Sequence, residues 1–160
     1  RSINFRYFIV ESLGIISFIF IYFHFGLTLT SLLLMLLSIF FIIIFFIDLR
    51  HFVILDVLTF PLMIIGFIKS FDPNLNVSIF PNFVNSFIGG IFGYLIIWLI
   101  IFFYRQNRKK EGMGLGDAKL MAVVGFWFGW VSIPYVIFLS SVIALLMAVP
   151  SLMNKTKKIS

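Results

Sequence analysis

Of 160 residues, 62% are hydrophobic, 23 are phenylalanine and 11% are charged, giving a mean hydropathy of +1.16. Soluble domains carry about 25% charged residues, and a chain this short cannot hide so much apolar side chain in a water-facing fold, so composition excludes a soluble protein and points to an integral membrane one. The absence of cysteine removes disulfides, thiol chemistry and Cys-ligated zinc, and the net charge of +6 lies in short clusters between apolar stretches, which suits anionic lipid and argues against nucleic acid as a partner.

A helix that crosses a bilayer needs about 20 predominantly apolar residues. Six candidates follow one another: Phe8 to Phe25, Leu29 to Ile47, Val57 to Ile68, Phe83 to Tyr104, Ala118 to Trp130 and Ile133 to Met153. The third is short and contains Pro61; the fifth is also short, so both read as short or tilted elements around a polar site. The fourth carries Gly89, Gly90 and Gly93, which offer a face for close helix packing. With no internal repeat and only short loops, residues 1–160 read as one all-α, polytopic transmembrane domain of about six spans. The sequence opens on Arg1, not Met, so upstream residues are expected, and nothing at its start has the order of a cleavable signal peptide.

Charge sets the expected orientation. With the N-terminus cytoplasmic, Arg1, Arg6, Arg50, Arg105, Arg108, Lys109, Lys110, Lys119, Lys155, Lys157 and Lys158 fall on the cytoplasmic side, leaving only Lys69 outside. Eleven of twelve positive charges on one face is a strong positive-inside signal. The same arrangement brings Asp48, Asp56, Glu111 and Asp117 to that face, while Asp72 accompanies Lys69.

Chemistry concentrates in Glu111-Gly112-Met113-Gly114-Leu115-Gly116-Asp117-Ala118-Lys119-Leu120. Its glycines allow close backbone approach and positive φ before a carboxylate at the start of an apolar helix. A phosphate-binding loop is the obvious rival, but an acid at the helix N-terminus repels phosphate, and no strand precedes the loop as dinucleotide binding requires. Asp48 ends an uninterrupted apolar run; an acid there also marks where a helix enters water. Two aspartates on one face suit acid–base work on a peptide bond, because like charges sharing a site retain one proton between them. Helix polarity favours the ionised form of Asp117 at an N-terminus and the protonated form of Asp48 at a C-terminus. The expectation is therefore that Asp117 is the base and Asp48 the acid. Two histidines, differently placed, suggest no His metal site.

The stretch from Glu111 to Leu120 resembles the signature of type IV prepilin peptidases, membrane aspartic proteases of the Gly-x-Gly-Asp class. Arg6-Tyr7-Phe8-Ile9-Val10-Glu11 is similar to that family's Arg-Tyr-Pro-x-Val-Glu, with Phe8 in place of proline. Ile47-Asp48-Leu49-Arg50-His51 through Leu55-Asp56 resembles its Ile-Asp-x-Asp-His…Pro-Asp, with Arg50 where an acid is common and Leu55 where proline is usual. Phe60-Pro61-Leu62 and Gly125-Phe126-Trp127-Phe128-Gly129-Trp130 extend the likeness. The resemblance implies Asp48 and Asp117 as catalytic residues, with Gly114, Gly116, Lys119, Asp56, His51 and Glu11 in support. It implies a bacterial cytoplasmic-membrane protease acting at the cytoplasmic face on prepilins or pseudopilins, whose basic leader ends in glycine ahead of a hydrophobic helix. It also implies hydrolysis with neither metal nor organic cofactor. Family members often carry an upstream span and a cytoplasmic Cys-x-x-Cys zinc loop associated with N-methylation; that loop is expected ahead of residue 1, and methyl transfer gets no support from these residues.

Ordinary explanations compete for the supporting residues. Asp56 and His51 serve as well to solvate or orient the turn between spans. Glu11 is expected to pair with Arg6 or Lys119, and Lys119 to stabilise a carboxylate or snorkel to the interface. Trp98, Trp127 and Trp130 read as interfacial anchors or packing. The rival functions are a related preflagellin-type protease with the same aspartates, a small transporter using them as cation ligands, and an inactive scaffold.

Overall fold

The computed structural model describes residues 5–75, 79–108 and 114–156, and among these it forms six helices and no strand. They are α1 (Phe5–Phe25), α2 (Leu29–His51), α3 (Asp56–Lys69), α4 (Phe83–Arg108), α5 (Leu115–Phe128) and α6 (Ser132–Thr156). The six expected apolar stretches coincide with these helices to within a few residues. Local chemistry explains the breaks. Gly26, at φ 60°, ends α1 with its N–H on the Tyr22 carbonyl at 2.8 Å. A reciprocal capping box opens α2: Ser31 N–H reaches Thr28 Oγ1 at 3.2 Å, and Thr28 N–H reaches Ser31 Oγ at 3.1 Å.

Among the described residues, three helices are long and apolar enough to cross a membrane by length and composition, over Tyr7–Phe25, Leu29–His51 and Phe83–Gln106. At 14 residues each, α3 and α5 reach only about 21 Å, short of the roughly 30 Å hydrocarbon core. Much of the outer surface is apolar, which suits a lipid environment and would be a liability in water.

Helix α5 sits at the centre, packed on α3, α4 and α6, and its contact with α4 is the most extensive in the molecule. Small residues make that contact possible. A Cβ on Gly125 would meet the Gly89 carbonyl, one on Gly89 would meet Gly129 C at 2.6 Å, and one on Gly93 would meet the Met121 carbonyl at 2.6 Å. On the glycine face expected for the fourth span, Gly89 and Gly93 thus meet α5-side backbone, while Gly90 lies against the Phe126 ring. One core cluster joins Leu37 and Ile44 of α2 to Leu62 of α3, Val123 and Trp127 of α5, and the nearby Leu75 and Phe80. A second joins Ile97 and Ile101 of α4 to Ala118 of α5. Helix α1 packs on α2, at the edge of the bundle.

The C-terminal end of α5 is held by its neighbours. Ser86 donates to the Phe126 carbonyl at 2.6 Å, and Lys69 Nζ donates to the Trp127 carbonyl at 2.9 Å. The Trp127 indole N–H donates in turn to the Leu62 carbonyl at 2.8 Å. The Ser86 and Lys69 donors satisfy carbonyls that the end of α5 leaves without intrahelical partners. Trp127 is fully buried, so it is a core residue and not an interfacial anchor.

Candidate active site

The opposite end of α5 faces the end of α2. Asp48 occupies the last turn of α2, which closes at Phe52: its N–H bonds the Asp48 carbonyl at 2.8 Å, with φ 52° and ψ 36°. Left-handed backbone at a bulky residue costs on the order of 1–3 kcal/mol, and glycine would ordinarily stand there. The chain then passes through Val53 and Ile54, outside any helix, to Leu55, the extended N-cap of α3.

Gly114 is the N-cap of α5, and Asp117 lies in its first turn. Among the described residues, positive φ at glycine occurs only at Gly26 and Gly129, so the expectation of such conformations in this motif is not met at Gly114 (φ −81°) or Gly116. Close approach is the reason for Gly116. A Cβ there would sit 2.8 Å from Ile54 Cβ, whereas one on Gly114 would meet little besides Gly116 N at 3.8 Å. Gly116 thus lets the start of α5 press against the α2–α3 connection. Glu111, Gly112 and Met113 of the motif, with Arg1, Lys109, Lys110, Lys157 and Lys158, lie outside the described residues.

That approach forms a cavity of about 260 Å³ lined by Asp48, Phe52, Val53, Ile54, Gly114, Gly116 and Asp117. Both aspartates line it, and both are half-buried. Asp117 precedes the apolar part of α5, and its carboxyl is raised above the usual range, first by burial and second by the charge of Asp48. This direction is opposite to the one helix polarity favours at Asp117. The macrodipole does favour an ionised Asp117, but by only about 0.3–1 kcal/mol at an exposed terminus. Desolvation and a like charge act in the other direction and prevail.

The supporting residues separate into two groups. Lys119 reaches Asp56 Oδ1 at 2.6 Å and lies 5.6 Å from the Phe60 ring centroid, tying α5 to the start of α3 beside the cavity. Of the two options left open for Lys119, the carboxylate partner is realised, and the partner is not Glu11. Glu11 is exposed on α1, which packs on α2. His51 and Arg50 are exposed at the end of α2 and do not line the cavity. Phe52, Val53 and Ile54 are the cavity residues that a reading for chemistry passed over. Their only signal was position, immediately after Asp48 and its flanking polar pair.

Fold and cavity together define a class: a helical membrane protein in which two carboxylates from different helices share one small cavity at an end of the bundle. The chain belongs to the type IV leader peptidase family, whose model matches residues 35–149 and so takes in both aspartates. It is 32% identical to a "Prepilin leader peptidase/N-methyltransferase" of Pseudomonas aeruginosa over 148 residues, covering 92% of this chain and 49% of that protein. A protein of the same name from Neisseria gonorrhoeae is 33% identical over 92% of this chain and 50% of its own length. Another, from Xanthomonas campestris, is 40% identical over 61% of this chain and 32% of its own. The chain spans about half the length, or less, of the curated relatives it matches. No solved structure matches.

Proposed function

We propose that this chain is a membrane aspartic endopeptidase of the bacterial cytoplasmic membrane that removes leader peptides from type IV prepilins or pseudopilins at the cytoplasmic face. The observation that carries the proposal is a cavity lined by both Asp48 and Asp117. Family membership supports prepilin-type substrates, and the apolar exterior supports a bilayer around six helices, with the short α3 and α5 next to the site. The relatives' names also include methyl transfer, but no cysteine is present among these 160 residues, and the proposal covers peptide cleavage alone.

The proposed mechanism starts from the raised carboxyl of Asp117. Asp117, with its raised carboxyl, enters the reaction carrying the shared proton, and Asp48 takes the general-base role. Asp48 removes a proton from a water as that water's oxygen bonds to the scissile carbonyl carbon, and Asp117 gives its proton to the carbonyl oxygen. The tetrahedral intermediate collapses when the C–N bond breaks. Its nitrogen takes the proton held by Asp48, and a hydroxyl of the intermediate returns one to Asp117. Two positioned carboxylates suffice for this sequence.

Incubating the detergent-solubilised protein with a leader-bearing prepilin tests the proposal. The expected result is a shortened product from the wild type and none from Asp48→Asn or Asp117→Asn, with both variants still folded by thermal unfolding. Undiminished cleavage by either variant would overturn the paired mechanism.

A further inference from the structure

Helices α3 and α4 both pack on α5 but meet each other in few places, and an apolar groove lies between them. Its larger part, about 410 Å³, has Ala122 and Phe126 of α5 as its floor. A second hollow of about 350 Å³ shares Met63 and Phe126 with the first, which joins the two into one trough. The walls repeat at helical spacing, with Phe60, Met63 or Ile64, and Phe67 on α3 facing Phe87, Ile91 and Leu95 on α4. Phe60, Ile64, Phe87, Ile91 and Leu95 are all exposed. At one end stands Lys119, two residues past Asp117, with its Nζ 2.6 Å from Asp56 Oδ1. From Lys119 to Phe126 the trough follows α5 for about 10 Å, or two helical turns.

Inside a bilayer, apolar contact alone drives little association, because lipid tails are as apolar as the side chains; complementary shape decides which helices pair. Side chains spaced at three and four residues form ridges that accept the matching row of another helix. An acyl chain would fill the same trough but would make no use of that spacing. The proposed substrate supplies a helix of the right kind, since its hydrophobic segment follows the scissile bond. With the scissile carbonyl held beside Asp117, that segment has to descend along α5. On the α2 side this path is filled by the core cluster of Leu37, Ile44, Leu62, Val123 and Trp127. On the α3–α4 side it is open, and it starts at Lys119.

We infer that the groove between α3 and α4 is the docking surface for the first turns of the substrate's hydrophobic helix. The protein then holds its substrate at two places, the helix in the groove and the peptide in the cavity, on either side of the Asp56–Lys119 pair. This inference rests on the peptidase reading and adds an interaction surface to it.

The test compares a full-length prepilin with a short peptide that keeps the leader and cut site but ends before the hydrophobic helix. Ile91→Trp fills the groove at a residue that does not line the aspartate cavity. It should raise KM for the prepilin about tenfold, equivalent to about 1.4 kcal/mol of binding, while kcat and cleavage of the short peptide stay unchanged. Ile16→Trp, at an exposed position on α1, should alter neither substrate. Contact is read separately by crosslinking, which the cysteine-free sequence makes specific. In the Asp48→Asn background, Ile91→Cys should form a disulfide with a cysteine placed in the first two turns of the prepilin helix, and Ile16→Cys should not. Equal effects of Ile91→Trp on both substrates, or no effect on the prepilin, would overturn the docking surface. So would absence of the crosslink, which would leave lipid as the occupant. Failure of the wild type to cleave either substrate would instead overturn the peptidase reading.

Discussion

At the scale of single residues, Asp117 is held between opposing influences. It sits at the positive end of α5, yet it is half-buried and shares its cavity with Asp48. Because burial and Asp48 raise its carboxyl in the folded protein, the folded state binds that proton more tightly than the unfolded chain does. Stability is then greatest below the unfolded carboxylate pKa and falls as pH rises through the folded value. Two outcomes follow. Under the proposed mechanism, in which Asp117 acts while protonated, the alkaline limb of the cleavage profile should lie above the ordinary carboxylate range. Asp48→Asn removes the second cause of the shift, so Asp117 titration, followed by infrared carboxyl bands, should move to lower pH; a move upward would refute the pairing.

At the scale of elements, α5 acts as a clamped rod. Ser86 and Lys69 hold its C-terminal carbonyls, its middle is pressed on α4 backbone through Gly89 and Gly125, and Gly116 seats its N-terminus against Ile54. Substitutions along glycine positions should therefore differ sharply. Gly125→Ala drives a methyl into α4 backbone with nothing flexible to yield, and should cost about 3 kcal/mol or more, toward or beyond the upper end for overpacking. Gly116→Ala meets a side chain instead; it should leave the protein folded but lower activity by displacing the Ile54 turn, with partial rescue by Ile54→Gly. Gly14→Ala on α1 meets nothing within 4 Å and should be neutral to within about 0.5 kcal/mol. Thermal unfolding in detergent, paired with the cleavage assay, measures all three.

At the scale of the whole molecule, the fold separates the end that holds the cavity from a locked end. The cavity end gathers the last turn of α2, the first turns of α3 and α5, and the Asp56–Lys119 pair. The locked end contains Lys69, the one cation that charge patterning leaves off the basic face, buried beneath Phe80 with its Nζ 3.8 Å from the ring centroid. Its amine donates to the end of α5 and is not displayed to solvent. Since the sequence has no cysteine, single cysteines can report the orientation of these ends. In inner-membrane preparations, His51→Cys should react with an impermeant maleimide only from the cytoplasmic side, and Asn74→Cys only from the other. The reverse labelling would contradict a cytoplasmic site.

Much of the architecture was legible in the sequence because bilayer solvation is a crude and therefore readable constraint. Apolar runs marked all six helices, and Gly89, Gly90 and Gly93 announced the α4 packing face. Asp48 and Asp117 stood out because an acid beside a long apolar run needs a reason. The sequence by itself determined the membrane class, the helix order and the pair of acids worth watching. Tertiary structure decided what surrounds those acids: that burial and the Asp48 charge raise the Asp117 carboxyl, that Lys119 pairs with Asp56 and not Glu11, that Gly116 matters for contact and not for positive φ, and that Phe52 lines the cavity. Helix polarity and spacing act along the chain and can be read from it, whereas desolvation and backbone-to-backbone contact depend on which surfaces meet, and no single stretch of this sequence records that.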